Sequence, residues 1–300
     1  MKEFAAAAIT LQPVLRSSPI EGFALAYDRA GAGDPVVLLH GWPGDRHDWR
    51  EVAAALASEA DVVVPDLRGF GESDKHLRDP REFYSGPAQA ASVIGLMREL
   101  ELAPAVIAGY DVGSRVGQQI ARAEPALVRA LVLAPPLPGA GDRVLAPEAQ
   151  PEFWYQAFHQ LALAERLIDG RPEAARVYLE HFWSHWSGPE FVPDPAELDR
   201  LAAAYGEPGA FVASIGWYRG GGGTIAVSPA ERPPEPGDRL ALPVTVLWPE
   251  HDPLFPPAWS DRLDQFFAAV TLQQLAGVGH FSPLEATPRF VDAIRDSLTA

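Results

Sequence analysis

Cysteine is absent from all 300 residues, which excludes disulfides and any chemistry that needs a thiolate. That suits the cytoplasm, the expected location. Positive charge is scarce: 24 Lys and Arg stand against 40 Asp and Glu, a formal net charge of −16. Such a chain is repelled by nucleic acid and by anionic membranes, and neither is expected as a partner. Long apolar runs are missing too. None approaches the roughly 20 residues that span a bilayer. The opening Met1–Leu15 has only a short Ala run followed by Gln12 and Pro13, too weakly apolar to read as a signal peptide. The histidines show no metal-ligand spacing. His181 and His185, four apart, could share a helix face, but no third ligand is evident. No metal or organic cofactor is expected, and no internal repeat is visible.

What is present fits one large α/β domain with an insertion, or two domains. Val36–Leu39, Val62–Val64, Val106–Ala108, Leu131–Ala134, Pro243–Trp248 and Val270–Leu275 read as strands, and Phe23–Asp28 as an early edge strand. Between them Pro87–Leu102, Val112–Glu124, Trp259–Ala268 and residues 284–299 have helical texture. Strands that alternate with helices predict a parallel sheet covered on both faces. Residues 137–225 differ: they are aromatic-rich and lack strand-like runs. They read as an inserted helical cap, with 1–136 and 226–300 forming the core domain.

One stretch carries the chemistry. The apolar run 106–108 ends in Gly109-Tyr110-Asp111-Val112-Gly113, and a helix follows. This is the strand–turn–helix pattern of a nucleophile elbow, with Asp111 as nucleophile. A residue held on so sharp a turn leaves no room for side chains two positions away, hence Gly109 and Gly113. The Val112 N–H, at the helix start, would face a developing oxyanion. Alone, the motif is more often a turn or N-cap. Asp252 and His280 raise its weight, because they also follow strand ends, where ligands bind in open α/β sheets. Their chain order, Asp111, Asp252, His280, is nucleophile, acid, base. Singly, Asp252 before Pro253 could be a turn former and His280 a surface loop residue. His40 reads as structural, and Asp66 with Arg68 as a loop-bracing ion pair.

With these residues in view, the chain resembles the α/β-hydrolase superfamily, in its epoxide hydrolase and dehalogenase branch. The likeness rests on His40-Gly-Trp-Pro-Gly44, Asp66-Leu-Arg-Gly-Phe-Gly-Glu-Ser-Asp74, Gly109-Tyr-Asp-Val-Gly-Ser114, Glu250-His-Asp252 and Gly279-His-Phe281. It implies a mostly parallel eight-stranded sheet with an inserted helical cap. Phe153-Trp-Tyr155-Gln156 and Ile215-Gly-Trp217-Tyr218-Arg219 look like the two cap-tyrosine segments of epoxide hydrolases. Haloalkane dehalogenases carry Trp after the nucleophile and fluoroacetate dehalogenases a basic residue there. Val112 departs from both, and Arg115 alone does not restore an anion site. The resemblance therefore implies an epoxide hydrolase, with a dehalogenase using the same triad as the alternative. Asp111 would form an alkyl ester, His280 held by Asp252 would activate water, and Tyr155 and Tyr218 would polarise the epoxide oxygen. The backbone N–H groups of Trp42 and Val112 would hold the oxyanion. Trp154, Phe158, Trp183, Trp217 and Phe281 are expected around a pocket for a small apolar epoxide. A homodimer is compatible with the chain.

Overall fold

The computed structural model describes residues 14–299; the opening segment weighed as a signal peptide lies almost wholly outside them. Eight strands form one sheet: β1 (Leu15–Arg16), β2 (Ala26–Ala30), β3 (Asp34–Leu39), β4 (Ala60–Pro65), β5 (Ala105–Gly109), β6 (Val128–Leu133), β7 (Leu240–Pro249) and β8 (Phe267–Leu275). Their spatial order is β1-β2-β4-β3-β5-β6-β7-β8. The first two strands pair antiparallel, to each other and onto β4; every later pairing is parallel. The predicted strands are thus all present. β3, β4, β5 and β6 are almost continuously buried, as strands covered on both faces must be. The helices Arg50–Leu56 and Thr287–Thr299 pack together on one face. Gly86–Glu99 and the elbow helix, Val112–Ala123, cover the other.

Two expected helices differ in form. The segment after β7 winds as a 3₁₀ helix, Pro257–Gln265. The closing helix is split into Ser282–Glu285 and Thr287–Thr299, with Ala286 between them out of helical conformation. Among the described residues no strand lies between Leu133 and Leu240, and the intervening α-helices fall between Trp154 and Val227, joined by loops. No helix among them is long and apolar enough to cross a membrane.

The loop-bracing pair is also different. Asp66 is buried against the Arg46 guanidinium and also accepts its backbone N–H at 2.8 Å. Arg68 turns away, to Glu21 Oε2 at 2.9 Å and Ser92 Oγ at 2.6 Å. Each side chain is held by its own partners, so Asp66 and Arg68 do not meet. His40 is structural as expected. Its Nδ1 lies 2.9 Å from the Gly41 carbonyl, its Nε2 accepts the Leu67 N–H at 3.0 Å, and burial lowers its pKa.

β5 delivers the chain into a tight turn at Asp111, whose φ of +48° lies in the left-handed region that side chains avoid. The flanking glycines permit it. A Cβ on Gly109 would come within 2.6 Å of the Gly113 backbone, and one on Gly113 would collide with the Leu39 carbonyl of β3. Gly113→Ala is expected to cost about 3 kcal/mol through this overpacking. Thermal denaturation measures it; an unchanged melting temperature would contradict the close approach.

Candidate active site

Three strand ends bring Asp111, Asp252 and His280 together. Asp111 follows β5, Asp252 follows β7, and His280 follows the turn after β8. All three are buried. His280 Nδ1 lies 2.9 Å from Asp252 Oδ2, and Asp252 Oδ1 accepts the Leu254 N–H at 2.9 Å. The other ring nitrogen, Nε2, lies 3.2 Å from Asp111 Oδ2. That separation suits a charge pair, but the angle is off, and Nε2 has no hydrogen-bond partner. The ring is thus held at one nitrogen and open at the other, facing Asp111.

The electrostatics follow. Burial alone would drive the proton off His280, but the Asp252 and Asp111 carboxylates outweigh it and hold the pKa up at about 10. At neutral pH the ring is an imidazolium between two carboxylates.

The two carboxylate oxygens of Asp111 have different surroundings. Oδ2 faces His280. Oδ1 accepts the N–H of Val112, the first residue of the elbow helix, and lies 3.4 Å from the N–H of Trp42. Both expected oxyanion donors therefore converge on one atom.

A family model described as alpha/beta hydrolase fold matches residues 34–287. The chain belongs to the α/β-hydrolase family. A soluble epoxide hydrolase from Corynebacterium sp. (strain C12) is 30% identical over 285 residues, 91% of this chain and 92% of that one. A fluoroacetate dehalogenase from Burkholderia sp is 32% identical over 200 residues, 64% of each chain. Among solved structures, an epoxide hydrolase without ligand aligns with a TM-score of 0.81 at 25% identity, covering 95% of this chain and 99% of that one.

Beside Asp111 in this hydrolase, the helix Trp154–His159 and the short helix Gly216–Arg219 supply Tyr155 and Tyr218. Their rings meet edge to face at 5.5 Å, and both residues border a small cavity with Asp111, Val112, Gln156 and Trp217. The cavity holds about 10 Å³, room for one water. Burial, then the negative charge of Asp111, raises the Tyr155 pKa; burial, then its tyrosine neighbour, raises that of Tyr218. Both phenols therefore keep their protons at neutral pH and remain donors. Gln156 Nε2 donates to Tyr155 Oη at 3.0 Å, leaving that phenol's own proton free, while Gln156 Oε1 is fixed by the Ile225 N–H at 3.0 Å.

Of the five expected pocket aromatics, only Trp217 borders the cavity. Trp154 is 42% exposed and packs outward on Phe158 and Phe182. The reason is helical: Trp154 and Phe158 share one face at i, i+4, whereas Tyr155 and His159 share the buried one. Trp183 and Phe281 stack on each other at 4.2 Å, and Phe281 meets the His280 ring at 5.5 Å, outside the cavity lining.

Sequence reasoning missed three supporting residues. Gln156 is one. His159 is another: it is fully buried, its burial lowers its pKa, and its ring lies 4.7 Å from that of Tyr218. The third is Glu285. Its carboxylate accepts the N–H groups of Gly188, Gly279 and Phe281, at 2.9, 2.7 and 3.1 Å, and so fixes the loop that carries His280. An acid in the first turn after a Gly-rich loop was the available signal.

Proposed function

We propose that this α/β hydrolase opens epoxides to vicinal diols through an ester on Asp111. The observation that carries the reading is the pair of cap phenols, both protonated at neutral pH, that border one small cavity with Asp111. Asp111 Oδ2 attacks a ring carbon, and the C–O bond breaks. The alkoxide takes a proton from Tyr155 or Tyr218, which meets the need of a poor leaving group. Ester formation removes the negative charge of Asp111, one of the two carboxylates that hold the His280 proton. That proton then leaves for the phenolate, and the neutral ring becomes a base. It takes a proton from water, and the hydroxide adds to the Asp111 carboxyl carbon. Oδ1 becomes the oxyanion, held by Val112 N–H and Trp42 N–H. Collapse breaks the ester bond, and the carboxyl proton passes to the departing diol oxygen. The carboxylate and the imidazolium are both restored, so the proton count closes over the cycle.

Support comes from the Corynebacterium relative, whose name is that of a soluble epoxide hydrolase. The fluoroacetate dehalogenase relative keeps a second reading in view, with the same triad displacing halide. Against it, Arg115, the basic group nearest Asp111 on the elbow helix, is paired with Glu231 and lies 3.1 Å from Ser228 Oγ. A small apolar epoxide fits the aromatic surroundings better than a haloacid. The test is a single turnover in ¹⁸O water with styrene oxide. The first diol should carry unlabelled oxygen from Asp111, and label should enter the carboxylate. Label in the first diol would exclude the ester. Halide release from haloacetate without diol from any epoxide would favour the dehalogenase.

A further inference from the structure

The two oxyanion donors are held in different ways. Val112 N–H belongs to the elbow helix and is locked by the core. Trp42 N–H lies on the loop after β3, and there four successive residues each take a partner from the cap. The Trp42 indole stacks on the Tyr155 ring at 5.6 Å, nearly parallel. The Pro43 carbonyl accepts the Trp183 indole N–H at 3.1 Å. Gly44 is gripped at both ends by one hydroxyl: its N–H donates to Tyr205 Oη at 3.1 Å, and that hydroxyl donates to its carbonyl at 2.9 Å. The buried Asp45 carboxylate takes both terminal nitrogens of Arg200, at 2.7 and 2.9 Å.

Tyr205 and Arg200 come from one helix, Pro195–Tyr205, and Trp183 from another, Pro172–His185. The Trp42 N–H stands 3.4 Å from Asp111 Oδ1, at the outer edge of hydrogen-bond reach. A shift of a few tenths of an ångström in this loop therefore makes or breaks that contact.

We propose that Tyr205 is a positioning residue that sets the Trp42 N–H against the Asp111 oxyanion, so that the cap, and not the core alone, completes the oxyanion hole. This rests on the ester mechanism above, whichever electrophile forms the ester. It carries a distinctive kinetic consequence. Alkylation of Asp111 generates no oxyanion on its own carboxyl, whereas water attack on the ester does. Losing the clamp slows the second half-reaction and spares the first.

Tyr205→Phe keeps the buried ring and removes only the hydroxyl. Single-turnover mixing with styrene oxide, followed by mass spectrometry of the quenched protein, reads both steps. Alkylation should stay within about twofold, while ester hydrolysis falls about tenfold and alkyl-enzyme accumulates, a fraction of the loss seen when an oxyanion donor is removed outright. Trp183→Phe, which releases the Pro43 carbonyl, should show the same selective loss and decides the matter should Tyr205→Phe not fold. Ser214→Ala removes another buried hydroxyl of the same region, one that donates to the Phe211 carbonyl at 2.8 Å and not to the loop, and should leave the ratio of the two rates as it is. Equal slowing of both steps, or no slowing of hydrolysis, overturns the clamp while leaving the ester mechanism standing. Absence of any alkyl-enzyme in the unaltered protein, with epoxides and with haloacetate alike, overturns both.

Discussion

His280→Gln is expected to stop turnover after the first step. Glutamine fills much the same space and can still bond to Asp252, but it cannot take a proton from water. Alkylation at Asp111 continues, hydrolysis of the ester does not, and kcat falls by about 10⁴-fold, the scale on which triad members act. The stalled protein should gain the mass of one epoxide, localised by peptide mapping to Asp111. Full turnover in this variant would remove His280 from the reaction. The same residue makes a stability prediction. His280 titrates near 10 in the folded chain and near 6.5 when free. A raised pKa means that its pairing stabilises the fold fully below pH 6.5 and that this contribution is lost as pH climbs through 10. Calorimetry from pH 6 to 10 should therefore show a melting temperature that falls more steeply for the unaltered protein than for His280→Gln.

Tyr155→Phe combined with Tyr218→Phe is the second large effect. An alkoxide cannot leave without a proton, so the double variant should lose about 10³- to 10⁴-fold in kcat/KM for epoxides, the range of general acid catalysis. Either single variant should retain more, since the remaining phenol still donates. Bromide or chloride leaves as a stable anion and needs no proton. If the chain proves to dehalogenate, that activity should survive the double change far better than epoxide opening does. Equal loss on both substrate types would mean that the tyrosines shape the pocket rather than supply the proton. Gln156→Leu offers a finer reading of the same site, because it removes the donor to Tyr155 Oη while leaving the phenol in place. A reduced rate on epoxides with unchanged folding would identify the orientation of the Tyr155 proton as the quantity that matters.

Much of this protein was legible in its sequence, and for local reasons. Apolar runs of three to six residues that end in Gly-, Pro- and Asp-rich turns locate the buried strands, because burial on both faces requires unbroken apolar character. Gly109 and Gly113 locate the elbow, because only glycine tolerates the approach of backbone to backbone there. The order of Asp111, Asp252 and His280 after three strand ends identifies the candidate site, since a parallel sheet gathers those ends at one edge. Helical period likewise separates Tyr155 and His159 from Trp154 and Phe158.

The rest depends on contacts between residues far apart in the chain, which carry no local signature. Arg46 rather than Arg68 meets Asp66, because side-chain direction on a loop is set by what packs around it. The high pKa of His280 arises from two carboxylates that are 28 and 169 residues away in sequence and within 3.2 Å in space. The grip of Tyr205 on Gly44 spans 161 residues. Hydrogen bonds and charge coupling act over a few ångströms, so only the tertiary fold decides which polar groups come within that range. The sequence by itself determined which residue types stand at the elbow; the packing of residues 154–227 against the strand ends decided which groups meet Trp42, Gly44 and Asp111.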